Sequence, residues 1–88
     1  MHQSQPNVEK SAKTKEEIQR LIVAELQTFA DCEHAFGIIV VPIVDHSDAT
    51  AWTVARFNPG NSDGEACYHA LQHIVPLFQR AYALVQKH

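Results

Sequence analysis

The chain has 88 residues, 45% of them hydrophobic and 19% charged, with a formal net charge of −3 at pH 7. That length gives one domain with a core near the lower limit of what folds alone, and that apolar content excludes a disordered chain. The acidic balance argues against the nucleic-acid-binding class, whose affinity comes from neutralising phosphates.

Residues 1–12 are polar, with one proline, no aromatic residue and no apolar period. They are expected to form a flexible tail ahead of a single domain spanning 13–88. They lack the apolar stretch of a secretory leader. The longest apolar run, Ala35 to Val44, is half the ~20 residues that a membrane span needs, and Pro42 interrupts it. A cytoplasmic chain is expected, with both cysteines, Cys32 and Cys67, reduced. A disulfide between them requires their Cβ atoms to meet, which spacing does not show.

Thr14-Lys15-Glu16-Glu17 has the pattern of a capping box, in which hydroxyl and carboxylate each bond the other residue's amide. Ile18, Leu21, Ile22, Leu26, Phe29 and Ala30 then recur on one face of a 3.6-residue period, which predicts an amphipathic helix. The helix is expected to fade at residues 31–34, with Gly37 suited to its exit. Residues 37–45 are rich in Ile and Val and read as a strand, and residues 50–58 read as a second. The turn chemistry of Asp45-His46-Ser47-Asp48 joins them as an antiparallel hairpin. Asn58-Pro59-Gly60-Asn61 is a loop, and Ser62-Asp63-Gly64-Glu65 is a second capping-box pattern. It opens a helix expected to run to about Gln86 on the stripe Cys67, Leu71, Ile74, Phe78, Ala81 and Val85. Pro76 lies inside it, removes one amide donor and crowds the Gln72 carbonyl, which predicts a kink or a break.

The fold class is therefore α+β: a two-layer α-β-β-α arrangement in which two helices pack an antiparallel hairpin. The first strand is apolar on both faces, with Ile38, Val40 and Val44 on one and Ile39, Val41 and Ile43 on the other. A strand covered on one side only should alternate. A second copy of the chain is the simplest cover. Pro42 cannot donate to a ladder, which makes the first strand the outer edge and the second strand the one that pairs across a two-fold axis. That gives a four-stranded sheet in a homodimer, with Trp52, Val54 and Arg56, on one nominal face of the second strand, at the interface. Trp52 is placed equally well in the core.

The chemical hints are few. His69 and His73, at i and i+4, present two imidazoles on one helix face, as in many zinc sites. No glutamate follows the first, and Asp31-Cys32-Glu33-His34 is the one other local cluster of donors. Gln72, His73, Gln79 and Arg80 equally describe a solvated face. Cys67 near a helix N-terminus invites a lowered thiol pKa, which Asp63 and Glu65 oppose, and it falls on the apolar stripe, as a buried structural cysteine would. The loop entering the second helix carries those same two carboxylates and no lysine, against phosphate binding. No cofactor is expected. Lys10, Lys13 and Lys15 are the one basic cluster.

Trp52-Thr53-Val54-Ala55, Phe57-Asn58-Pro59-Gly60, Glu65-Ala66-Cys67 and the run from Ala70 to Pro76, with Glu17-Ile18 and Ala24-Glu25-Leu26 before them, resemble a group of short bacterial open-reading-frame proteins. The resemblance implies a bacterial cytoplasmic protein and carries no activity, so no functional residue transfers. The leading expectation is a small homodimeric interaction module. A metal- or thiol-using protein built on His69 and His73, with Cys67, and a nucleic-acid-associated regulator using the basic cluster are the alternatives.

Overall fold

The computed structural model describes residues 10–85. In chain order the elements are β1 (Ser11–Lys13), α1 (Lys15–Leu26), a 3-10 turn at Ala30–Cys32, β2 (Phe36–Pro42), β3 (Trp52–Asn58), α2 (Gly64–Ala81) and β4 (Tyr82–Leu84). The described residues form an α+β fold with two α-helices, an antiparallel β2–β3 pair and a parallel β1–β4 pair. The anticipated α-β-β-α order is corrected by the strands at either end.

β1 overturns part of the predicted tail. Ser11 and Ala12 pair with Tyr82 and Ala83, and Lys13 with Leu84. Residues 1–9 of that tail lie outside the described residues. The pair is held at its far end by the Val85 amide on the Lys13 carbonyl at 3.0 Å, and the Lys13 ammonium lies 5.8 Å from the centre of the Tyr82 ring.

α1 begins as the capping box predicts. The Glu17 amide donates to Thr14 Oγ1 at 3.2 Å and the Thr14 amide to Glu17 Oε1 at 2.8 Å. Ile18, Ile22 and Leu26 are fully buried. The helix stops at Leu26, short of the expected exit, where Thr28 Oγ1 donates to the Glu25 carbonyl at 2.6 Å. Such a side-chain bond offers the backbone an alternative to another helical turn. Phe29, on the predicted stripe, is consequently 38% exposed.

In the hairpin, Val41 pairs with Thr53, Val40 with Val54 and Pro42 with Trp52, and the register is irregular between Phe36 and Val40. Gly37 belongs to this irregularity and not to the helix exit. Its φ is +75°, and a Cβ there would stand 2.9 Å from that of Asn58. Both features require glycine at a bulged strand start. Ile38, Val40 and Trp52 point into the core against α1 and α2. Ile39 and Ile43, on the opposite face, stay 38% and 36% exposed, as the two-faced strand foretells.

The second capping box does not form. Asp63 is the N-cap, its Oδ1 accepting from the Glu65 and Ala66 amides at 3.1 and 3.2 Å. Ser62 Oγ instead accepts from the His34 amide at 2.9 Å. Pro76 does not break the helix, which is continuous from Gly64 to Ala81. Pro76 and Gln72 both lie on its exposed side, where a carbonyl without its amide donor is least costly. The helix ends before the predicted Gln86, because Tyr82 turns extended (φ −128°, ψ 139°) to enter β4.

Candidate functional site

The hydrogen-bond phase of the hairpin decides which backbone groups it offers outward. The Ile43 amide donates to the Ala51 carbonyl at 3.0 Å, which makes that a hydrogen-bonded pair. Antiparallel pairs alternate, so Val41–Thr53 is the next such pair. Pro42–Trp52 and Val40–Val54 then turn their backbone groups to the outer edges.

The edge of β2 is closed to a further strand. Gln19 Oε1 of α1 accepts from the Val40 amide at 2.9 Å, and Pro42 has no amide to offer. On β3, Gln79 Nε2 of α2 donates to the Trp52 carbonyl at 2.8 Å. Beyond that point the edge is open: no side chain or loop backbone among the described residues bonds the Val54 amide or carbonyl. Gln79, read from sequence as part of a solvated face, is half-buried by its bond. No periodicity argument reaches such a contact, because an amide bonding a distant strand looks like any exposed glutamine in sequence.

Beside this open edge, β3 and α2 enclose a groove of about 750 Å³. Val54, Phe57, Leu71 and Val75 give it an apolar floor, and Tyr68, Gln72 and Gln79 supply polar groups. Arg56 is its one charged residue, and no carboxylate of the described residues pairs with it. Tyr68 is 56% exposed at the groove wall.

Of the three predicted interface residues, Val54 and Arg56 line the groove and Trp52 does not. Trp52 is 1% exposed, packed in the core, and its Nε1 donates to the Tyr82 carbonyl at 3.0 Å. The strand ladder puts its ring on the helix side, so the interface assignment is corrected to a core role. His69 and His73 are exposed on α2. Among the described residues no three His, Cys, Asp or Glu side chains converge to hold a metal ion, and Cys32 of the other donor cluster turns into the core. Two lysines of the basic cluster are engaged: Lys10 Nζ lies 3.8 Å from Asp48 Oδ2, and Lys13 Nζ lies over the Tyr82 ring.

A second feature lies at the N-terminal end of α2. The Pro59–Gly60 loop folds onto the segment after α1, so tightly that a Cβ on Gly60 would stand 2.5 Å from the His34 carbonyl oxygen. The Asp63 amide donates to the Asp31 carbonyl at 3.2 Å, beside the Ser62–His34 bond. Beneath this seam Cys67 Sγ donates to the same Asp31 carbonyl at 3.3 Å, and Cys32 and Cys67 are both buried. Burial, above all, pushes the Cys32 thiol up to about 12, with the neighbouring Cys67 and the nearby Asp31 and Asp63 charges adding to the shift. A thiol so held is protonated at neutral pH and is not a poised nucleophile.

No protein family, characterised protein or solved structure matches this chain. Among the described residues no helix is long and apolar enough to cross a membrane. The surface that stands out on geometry is the β3 edge with its groove.

Proposed function

We propose that this protein is a small interaction module that works as a homodimer, joined by antiparallel pairing of β3 with β3 of a second copy. One observation carries the reading: β2's outer edge is sealed by Gln19 and Pro42, while β3's is open at Val54 beside an apolar groove. An unpaired edge is a template for strand addition, and proteins that avoid it cover or charge it.

The edge suits itself. A two-fold axis at Val54 sets Val54 against its symmetry mate and Arg56 opposite Trp52 of the partner subunit. The two Arg56 positions then lie four residues apart along the strands, about 13 Å, which is beyond the Debye length at physiological salt. No like charges face each other. The resulting order, β2-β3-β3-β2, gives four strands, where a lone hairpin is marginal. It also makes one continuous outer face of the exposed Ile39 and Ile43 positions.

Light scattering across a wide concentration range tests this. Twice the monomer mass is expected at high concentration, with reversible dissociation on dilution. Val54→Pro should hold the protein at monomer mass with its circular dichroism retained, because that amide faces outward and takes no part in the β2–β3 ladder. A native chain that stays monomeric at the highest concentration refutes the proposal.

A further inference from the structure

The seam between the turn at Ala30–Cys32 and the start of α2 brings together the chain's two cysteines, which the interaction surface does not use. Cys67 Sγ lies 3.3 Å from the Asp31 carbonyl oxygen, and that peptide unit is bonded to Cys32. Covalent geometry then puts this sulfur within about 6 Å of the Cys32 Cα. Cys67 is also among the groups that act on the Cys32 thiol. Cys32 and Cys67 are 1% and 0% exposed, with Ile18, Ala35 and Leu71 in the same core. We infer that Cys32 and Cys67 form an oxidation site, a dithiol that closes to an intramolecular disulfide tying the turn to α2.

Three features fit this role. First, a Cys67 sulfur within about 6 Å of the Cys32 Cα can be met by rotation about the Cys32 side-chain bonds without a large backbone shift. Second, the bridge would span 35 positions of sequence (67 − 32) and add a covalent tie between two elements now joined by hydrogen bonds and core packing. Third, the pair lies under a single loop at the edge of the core. The solvent-exposed Ser62–His34 bond, the Asp63–Asp31 bond and the close packing of Gly60 on His34 hold the loop down. Opening that loop admits an oxidant, and closing it shields the product.

The chemistry balances with a low-molecular-weight disulfide as oxidant. A thiolate of the opened pair attacks one sulfur of oxidised glutathione, releases one glutathione and forms a mixed disulfide. The second cysteine, as thiolate, displaces the other glutathione. Two S–H bonds are lost, one S–S bond forms, and the two electrons and two protons end on two glutathione thiols. In the closed state burial keeps Cys32 protonated, so the first step runs through the open form.

The test uses the full chain with oxidised glutathione in two arms, one added to the native protein and one present during refolding from denaturant. The product is unfolded in acid, treated with an alkylating reagent and weighed intact. The expected result is a mass lower by two hydrogens, no alkylation, and a single cross-linked peptide containing Cys32 and Cys67. Cys32→Ala and Cys67→Ala should each end with one glutathione attached and no mass loss. The oxidised native chain should melt at a higher temperature than the reduced one. Formation in the refolding arm alone also supports the site, with the loop as the barrier to access. Two free thiols in both arms, two glutathione adducts on one chain, or disulfide-linked dimers would overturn the inference.

Discussion

Trp52 is the residue on which core and surface readings divide most sharply, and Trp52→Phe separates them. The substitution keeps one aromatic ring in the core and removes the indole N–H that bonds the Tyr82 carbonyl at 3.0 Å. A part-buried acceptor left unmatched costs about 1–3 kcal/mol. The space vacated by the smaller ring adds about 1 kcal/mol. The sum, about 2–4 kcal/mol, is large against the roughly 4–13 kcal/mol that 88 residues support. It corresponds to a fall in Tm of roughly 8–30 °C for a domain of this size. Urea unfolding followed by far-ultraviolet circular dichroism measures it without needing the lost fluorophore. Two protein concentrations are required, since dimer formation would make the midpoint concentration-dependent. Tyr68→Ala, at a residue 56% exposed, is the control and should cost under about 0.5 kcal/mol. A loss below about 0.5 kcal/mol for Trp52→Phe would refute the buried, hydrogen-bonded indole.

Thr14→Ala should cost about 1 kcal/mol in the same assay by removing the acceptor for the Glu17 amide, and Thr14→Ser should restore most of it. Gly60→Ala should destabilise by about 1–3 kcal/mol, since φ is +64° and the new Cβ would meet the His34 carbonyl; an unchanged midpoint would mean that the loop does not dock. Asp48 accepts from the Thr50 hydroxyl at 2.6 Å and amide at 2.8 Å, and these bonds, with Lys10 nearby, hold its carboxyl below the usual 3.8. A pKa lower in the folded state means that the contribution is present above the unfolded value and is lost as pH falls through the folded one. Carboxyl chemical shifts should therefore show Asp48 titrating below pH 3.8, and Thr50→Val should move the midpoint upward.

The sequence was informative where a structural feature had a period or a local partner. α1 starts at the Thr14–Glu17 box because both halves of that exchange lie within four residues. The two-sided apolar pattern of residues 37–45 matches the partial exposure of Ile39 and Ile43. It failed where distant contacts outweighed local pattern. Ser62 reads as an N-cap until His34, 28 residues earlier, claims its hydroxyl, and Asp63 takes the cap. β1 and β4 are three residues each, too short to show alternation, and each exists only because the other does. The candidate edge was half legible. Pro42 marks β2 as the closed side, but the glutamines that seal Val40 and the Trp52 carbonyl reach across from helices.

The parallel β1–β4 pair also sets a schedule for folding on the ribosome. Ser11 pairs with Tyr82, 71 residues later in synthesis. At about 5–20 residues per second, β1 waits roughly 4–14 s for its mate after it is made. α1 and the β2–β3 hairpin are complete well before then and can collapse on one another. From its own synthesis until α2 and β4 follow, Trp52 has no Tyr82 carbonyl to bond and no Gln79 amide on its own carbonyl. The nascent chain therefore carries a longer open β3 edge than the finished one.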